Sequence, residues 1–253
     1  MRYITKFVYI CTVSKYKISS KMENMISLSA VCKDFSVGQG LFRALNNINL
    51  TIRKGEFTGL VGPSGSGKTT LLNIIGALDT PTSGEAVVLG QNITSVAPSE
   101  SAKLRNLHIG FIFQSYNLLP VYTVYENVEF ALLLQHKSKK QRYEAVMEAL
   151  EWVGLTDKRD SRPSQLSGGE SQRVAIARAM VKRPSIVLAD EPSANLDADN
   201  SHHILQTMHK LNKELQTTFI FATHDEKVMQ YLQRIISLRD GQVEKDTIID
   251  NSK

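Results

Sequence analysis

The chain has 253 residues, of which 42% are hydrophobic and 22% are charged, with 15 Gly and 7 Pro. This is the composition of an ordinary globular protein, and it excludes disordered and collagen-like chains. No apolar run approaches the roughly 18 residues that a membrane-spanning helix needs, so the chain is not expected to cross a bilayer by itself. Cys11 and Cys32 show no metal-ligand spacing, which favours a reducing compartment.

The formal net charge of +5 comes mostly from the N-terminal residues. The charged side chains of residues 1–25 are Arg2, Lys6, Lys15, Lys17 and Lys21 against Glu23. The remaining charges are interspersed in sign, so we expect no groove for a nucleic acid. Residues 1–24 lack a signal-peptide cleavage site, and Met22 and Met25 favour a mis-assigned start over a basic tail that touches anionic lipid.

From Ile26 onwards, short apolar runs alternate with helical patterns, which predicts an α/β fold with a largely parallel sheet. The runs that read as buried strands are residues 57–61, 109–113, 186–189 and 219–222. Each run ends in polar chemistry: a glycine-rich loop, Gln114, an Asp-Glu pair and Thr223-His224. Because the carboxyl ends of parallel strands meet at one edge of a sheet, we expect one composite ligand site there.

Helical patterns dominate between the second and third of these strands, which predicts a helical subdomain over about 115–180. Its helices are expected to begin at capping boxes, which pair Thr123 with Glu126, Ser138 with Gln141, and Ser167 with Glu170. A helix over 225–233, a strand over 235–238 and a turn at 240–241 follow the fourth strand. We place the folded domain at 25–246 and a polar tail at 247–253.

The loop after the first strand matches the phosphate-loop pattern G-x-x-x-x-G-K-[ST]. Its members, with the next residue of the predicted helix 68–77, are Gly62, Pro63, Ser64, Gly65, Ser66, Gly67, Lys68, Thr69 and Thr70. The glycines let backbone N–H groups surround phosphate oxygens, Lys68 reaches the outer phosphates, and the Thr69 hydroxyl ligates magnesium. The N-terminus of the helix adds its positive dipole end to the same anion site.

Asp190 and Glu191 are adjacent carboxylates at the end of a buried strand. Desolvation and mutual repulsion must be offset there, either by a cation or by substrate. We therefore predict that Asp190 holds magnesium together with Thr69 and Gln114, and that Glu191 polarises an attacking water in phosphoryl transfer. A surface Asp-Glu pair before the turn at Pro192 is the alternative. His224 and Gln114 gain significance only from their convergence with these groups.

A second glycine motif, Leu166-Ser167-Gly168-Gly169-Glu170, opens a helix with an apolar face. A helix cap explains the motif in part. Glycines are poor helix starters unless another group must approach the backbone closely, and a bare helix N-terminus is a second phosphate site.

Together, these motifs resemble those of the ATP-binding-cassette ATPases. The resemblance covers about residues 26–244, and it includes the segments 172–179 and 193–197 in the order of the family. It implies a P-loop NTPase fold with a mainly parallel core sheet, an antiparallel β subdomain and a helical subdomain. It also implies ATP and Mg²⁺ as cofactors. In the implied homodimer, each ATP lies between the phosphate loop of one subunit and Ser167, Gly168, Gly169 and Glu170 of the other.

The same resemblance implies roles for single residues. Phe35 would stack on adenine, Gln114 would couple the site to a membrane partner, Asp197 would communicate across the dimer, and His224 would act in catalysis beside Glu191. The chain departs from the usual family pattern in having Phe instead of Tyr at 35, Glu instead of Gln at 170, and Ser-Ala instead of Thr-Gly at 193–194.

Residues 78–84 and 110–128 are similar to the subgroup of lipoprotein-releasing (LolD) and macrolide-exporter (MacB) ATPases. This implies a peripheral subunit on the cytoplasmic face of the inner membrane. It would energise a separate permease for lipoprotein release or for export of macrolide or peptide-like cargo. An FtsE-like cell-division ATPase, which signals to a membrane partner without moving cargo, uses the same residues. A DNA-repair cassette needs a coiled-coil or zinc insertion and a translation factor needs two cassettes, and the sequence shows neither.

Overall fold

The computed structural model describes residues 24–38 and 40–249, so residues 1–23 of the predicted N-terminal extension, including Cys11 and Met22, lie outside the described residues. The strands are β1 (Asn24–Val37), β2 (Gly40–Arg53), β3 (Phe57–Val61), β4 (Ser83–Val88), β5 (Gln91–Asn92), β6 (Ile109–Ile112), β7 (Ile186–Asp190), β8 (Thr218–Thr223), β9 (Arg234–Arg239) and β10 (Gln242–Ile248). The α-helices are α1 (Lys68–Ile75), α2 (Pro98–His108), α3 (Val124–Glu129), α4 (Lys139–Trp152), α5 (Gly168–Met180), α6 (Ala198–Leu215) and α7 (Glu226–Met229).

Two sheets build the fold. The central sheet has the strand order β10-β9-β3-β8-β7-β6, in which every neighbouring pair is parallel except β10 with β9. The second sheet has the order β2-β1-β4-β5 and is antiparallel throughout. The predicted α/β fold, with a mainly parallel core sheet and an antiparallel β subdomain, is confirmed.

The central sheet is buried on both faces, as β8 shows. Phe219 and Phe221 pack into a core shared with helices α3 to α6, whereas Ile220 and Ala222 pack into a core shared with α1 and the antiparallel sheet. Successive side chains of a strand point to opposite faces, so a strand covered on both sides is mostly apolar, and its few polar side chains, such as Thr218 and Thr223 of β8, form hydrogen bonds. This is why the parallel strands are continuous apolar runs in the sequence.

The helical region follows its local signals closely. Helices α3, α4 and α5 begin at the three predicted capping boxes. In each box the N-cap hydroxyl accepts a hydrogen bond from the N–H of the third helical residue, whose own side chain accepts one from the N-cap N–H.

None of the helices in the described part of the chain has the length and hydrophobicity needed to cross a bilayer. β10 continues to Ile248, past the expected domain end at 246, and the division into extension, ATPase domain and tail stays a prediction.

Two predicted helix ends are wrong. The first helix ends at Ile75 instead of 77, because Ala77 takes a φ of 51° outside the helical region. The helix predicted over 225–233 covers only Glu226–Met229. The chain turns there, because the Gln233 N–H must reach the Phe57 carbonyl, at 2.9 Å, to align β9 beside β3.

Candidate active site

The polar ends of the central strands surround one cleft of about 400 Å³. Its lining consists of Phe42, Ala44, Ser64, Gly65, Ser66, Gly67, Lys68, Thr69, Thr70, Gln114, Asp190, Glu191 and His224. The structure therefore brings together the phosphate loop, the carboxylate pair, Gln114 and His224. These segments come from four parts of the sequence, and the parallel sheet aligns their carboxyl ends at one edge.

The phosphate loop wraps around the start of α1. Gly65 and Gly67 have φ angles of 79° and 99°, in the left-handed region that favours glycine. The Ser66 N–H donates to the Pro63 carbonyl at 3.2 Å, which closes the turn. The first N–H groups of α1 have no acceptor within the helix, and the N-cap Gly67 supplies no side-chain acceptor, so these groups remain available to an anion.

Two buried polar side chains of the loop bear on whether it fits a phosphate. The Lys68 ammonium is buried and donates to the Gly62 and Pro63 carbonyls at 2.7 and 2.9 Å. The Ser66 hydroxyl is also buried, yet it has no hydrogen-bond partner among the described residues. A buried hydroxyl without a partner is unfavourable, and a phosphate oxygen in the loop would satisfy it.

Gly67→Ala is expected to damage the loop far more than Gly65→Ala does. A Cβ at 67 would lie 2.7 Å from the Ala44 carbonyl oxygen and 2.8 Å from Leu45 Cδ2, whereas a Cβ at 65 would meet nothing within 4 Å. We expect Gly67→Ala to lower the free energy of unfolding by about 2–4 kcal/mol, from backbone strain and overpacking together. Gly65→Ala should lower it by only about 1 kcal/mol, the left-handed penalty alone.

Urea unfolding of the two variants, with ATP titration of each, measures both effects. Equal losses of stability in the two variants would contradict the close approach of Gly67 to β2.

Asp190 lies at the end of β7 next to the first turn of α1. The Thr69 hydroxyl donates to its carboxylate at 3.1 Å. Burial raises the pKa of Asp190, the Thr69 hydrogen bond opposes this rise, and the neighbouring Glu191 carboxylate adds to it. Asp190 therefore stays ionised most readily when a cation shares its site.

Glu191 begins the turn after β7 with a φ of 47°, which directs its side chain back across the end of β8. Its backbone N–H donates to the Ala222 carbonyl at 2.9 Å. One carboxylate oxygen, Oε1, lies 2.6 Å from His224 Nδ1, and the other, Oε2, accepts a hydrogen bond from the Thr223 hydroxyl at 3.2 Å. The Glu191 carboxylate is thus held by two consecutive residues of one strand end.

The second glycine motif lies outside the cleft of its own chain. Ser167 caps α5, and its N–H donates to Glu170 at 2.8 Å, which lowers the pKa of that carboxyl. A Cβ at Gly169 would lie 2.4 Å from Asn200 Oδ1, so the Asn200 side chain of α6 packs closely against the backbone there. The N–H groups of Gly168 and Gly169 begin the helix without intrahelical acceptors, which leaves them available to a ligand from another molecule.

One predicted contact residue is not in the cleft lining. Phe35 on β1 is 38% exposed and pairs across the strands with Phe42 of β2, which does line the cleft. Sequence reasoning missed Phe42 and Ala44, and it named Thr223 only as part of the polar end of its strand, without a role. A hairpin between Gly38 and Gly40, with an aromatic residue on each arm, was the available signal for Phe42.

A strand, a glycine-rich loop and a helix N-terminus, facing a half-buried carboxylate pair across the edge of a parallel sheet, define a phosphate-loop nucleotide hydrolase. The pattern of the ABC transporter family matches residues 45–194. The chain is also 43% identical over 226 residues to the ABC transporter ATP-binding protein MJ0796 of Methanocaldococcus jannaschii. The aligned region covers 88% of this chain and 96% of that protein. The chain belongs to the ABC transporter family, and it is an ABC-type ATPase.

Other relatives are similar over comparable lengths. The ABC transporter ATP-binding protein YknY of Bacillus subtilis is 45% identical, over 87% of this chain and 95% of that protein. The lipoprotein-releasing system ATP-binding protein LolD of Bacteroides thetaiotaomicron is 42% identical, over 88% of this chain and 100% of that protein.

Solved structures agree with this fold. A dimeric post-hydrolysis state of MJ0796 bound to ADP and Pi has a TM-score of 0.83 at 42% identity, covering 90% of this chain and 100% of that one. CbiO1 of Clostridium perfringens, part of the ABC transporter complex cbiONQ, has a TM-score of 0.80 at 29% identity, covering 89% of this chain and 88% of that one.

Proposed function

We propose that this chain is the ATP-hydrolysing subunit of a transporter of the LolD and MacB type, which energises a separate permease for lipoprotein release or for export of macrolide or peptide-like cargo. The main observation in favour of ATP hydrolysis is the position of Glu191, which lines the phosphate-loop cleft. Both of its carboxylate oxygens are in hydrogen-bond contact, one with Thr223 and one with His224. The similarity to LolD over the whole length of that protein supports the transporter class. The subunit would act at the cytoplasmic face of the inner membrane.

We propose that Asp190, Thr69 and Gln114 hold Mg²⁺ in this cleft. The oxygens of a carboxylate, a hydroxyl and an amide are the hard donors that Mg²⁺ prefers. Within residues 24–38 and 40–249 there is no cluster of three or more His, Cys, Asp or Glu side chains that would bind a metal without further ligands. This donor set fits an ion that takes its remaining ligands from substrate phosphates and water. When bound, Mg²⁺ would neutralise charge on the phosphate oxygens.

The residues of the chain then bind the phosphates, position the backbone and accept the proton. Lys68 and the N–H groups of the loop bind the phosphates, and Asn195 holds the backbone after β6 in place by donating to the Gln114 carbonyl at 3.0 Å. Glu191 accepts a proton from the attacking water, because its carboxylate lines the cleft beside the phosphate loop. His224 is 69% exposed beside it, so its ring can turn from Glu191 towards the nucleotide.

We propose that the site is completed by a second copy of the chain. Ser167, Gly168 and Gly169 lie away from the cleft of their own subunit, and their free helix N-terminus would meet the phosphates bound by the partner. The dimeric structures of MJ0796 support this arrangement. Phe35 would stack on the adenine, next to Phe42, and Asp197 would communicate across the dimer.

A cell-division ATPase of the FtsE type is the second candidate, because the same residues would serve signalling without cargo. The following experiment separates the two. A tagged Glu191→Gln protein is used to capture partners from native membranes with ATP, and tagged Lys68→Ala serves as the matched control with impaired nucleotide binding. We expect the ATP-loaded protein to enrich a permease with a large extracytoplasmic domain, together with lipoprotein or efflux components.

Enrichment of division proteins without cargo machinery would overturn the transporter proposal in favour of the signalling one. Equal recovery by both variants would contradict ATP-dependent engagement of the partner.

A further inference from the structure

We infer that Thr223 is a positioning residue for the reaction: its hydroxyl fixes the orientation of the Glu191 carboxylate. This inference rests on the proposed role of Glu191 as the group that accepts a proton from water. Thr223 is the last residue of β8 and is completely buried, and its Cα lies in register with that of Val61 at the end of β3, just before the phosphate loop. It does not line the cleft, so it would act through Glu191 and not on the substrate.

The direction of the Thr223 hydroxyl proton follows from its two hydrogen bonds. The Asp225 N–H donates to Thr223 Oγ1 at 3.0 Å, and an N–H can only donate. The hydroxyl is therefore the acceptor on that side. Its single proton is left for Glu191, and the hydroxyl donates it to Oε2 at 3.2 Å. The turn that follows β8 thus fixes the direction of the Thr223 hydroxyl proton, and this hydroxyl in turn fixes the orientation of the Glu191 carboxylate.

Thr223 holds Glu191 in a way that His224 does not. The His224 side chain is 69% exposed, so water competes for its nitrogen, and the ring is free to leave the carboxylate. The Thr223 hydroxyl is buried, where no water competes and a hydrogen bond to a charged group is stronger. When His224 turns towards a bound nucleotide, the Thr223 hydroxyl remains as a fixed contact of the Glu191 carboxylate.

A proton acceptor needs this alignment because catalysis depends on the geometry of the transition state. A carboxylate that rotates freely still carries its charge, but it spends less time within hydrogen-bond reach of the attacking water. Losing Thr223 should therefore lower kcat and leave the binding of ATP unchanged. A side chain whose role is only to pack the strand end would show the opposite pattern, with lower stability and unaltered turnover.

The test compares Thr223→Val, Thr223→Ser and Thr218→Val in the full chain. Valine keeps the shape of threonine and removes the hydroxyl, whereas serine restores it. Thr218 is the matched control: it is buried on the same strand, and its hydroxyl likewise accepts a backbone N–H, that of Gly55 at 2.9 Å, far from the cleft. Steady-state ATPase kinetics give kcat and KM, and urea unfolding gives the stability of each variant.

We expect Thr223→Val to lower kcat by on the order of tenfold at unchanged KM, as loss of one hydrogen bond to a charged group predicts. Thr223→Ser should recover most of the turnover. Thr218→Val should lose comparable stability with kcat unchanged. In a Glu191→Gln background, Thr223→Val should lower the residual turnover no further, because the group it positions is already inactive.

Wild-type kcat in Thr223→Val, or an equal fall in Thr218→Val, would overturn the inference while leaving the role of Glu191 intact. Full turnover in Glu191→Gln alone would instead overturn the proposed role of Glu191 as the proton acceptor. The two failures are therefore distinguishable in one set of proteins.

Discussion

Glu191→Gln is expected to lower ATP turnover by on the order of a hundredfold or more while preserving ATP binding. Glutamine has the shape of glutamate, and its amide can still contact Thr223 and His224, so the strand end should keep its geometry. It carries no charge and is a very weak base, so it does not accept a proton from water. The variant should therefore bind ATP and accumulate as an ATP-bound dimer, which size-exclusion chromatography with and without ATP measures.

Glu226→Gln is the matched control for this prediction. Glu226 is an exposed carboxylate at the start of α7, close in sequence to His224 but outside the cleft lining. The Glu226→Gln variant should show wild-type turnover and no more ATP-dependent dimer than the wild-type protein. Unchanged turnover in Glu191→Gln would remove Glu191 from its role and would favour a water activated by the phosphate itself.

Lys68→Ala is expected to weaken ATP binding by on the order of a hundredfold, about 3 kcal/mol, as loss of a charge-assisted hydrogen bond in a buried site predicts. The structure adds a second consequence. Because Lys68 donates to the Gly62 and Pro63 carbonyls, its removal leaves two loop acceptors without their donor. The free energy of unfolding without nucleotide should therefore also fall, by about 1–3 kcal/mol.

Comparing nucleotides separates these two effects of Lys68→Ala. We predict that the ammonium contacts the outer phosphates, so affinity for ATP should fall much more than affinity for AMP, as isothermal titration measures. A loop that simply collapses would weaken both nucleotides alike and would contradict a direct contact with the outer phosphates. Lys103→Ala, at an exposed position on α2, controls for loss of one positive charge.

Much of the site was predictable because its signals are local. A glycine-rich turn between an apolar strand and a helix has the same meaning in any context, and so does a Ser or Thr paired with Glu or Gln across three positions. Three helices begin at the positions that these pairs predict, directly after Thr123, Ser138 and Ser167. Their hydrogen bonds close within four residues, so no distant packing is needed to decide them.

Contacts between distant segments were less accessible. The α7 helix is shorter than its sequence pattern, because β9 must register against β3 and the chain has to turn early. Phe42 lines the cleft because β2 approaches the phosphate loop closely at Gly67, and the hairpin pattern in the sequence does not show this approach. The Thr223 hydroxyl reaches Glu191 over 32 positions of the chain because β7 and β8 are neighbours.

The sequence by itself determined the chemistry of this protein: a phosphate loop, a carboxylate pair after a buried strand, and a glycine motif at a helix start. Each follows from residue types at short spacing, which fix hydrogen-bond partners locally. Only the tertiary structure decided which groups share the cleft, that the Ser167 motif lies away from it, and that Thr223 holds Glu191. Those outcomes depend on strand order and register, which arise from packing of both faces of the central sheet over long separations in the chain.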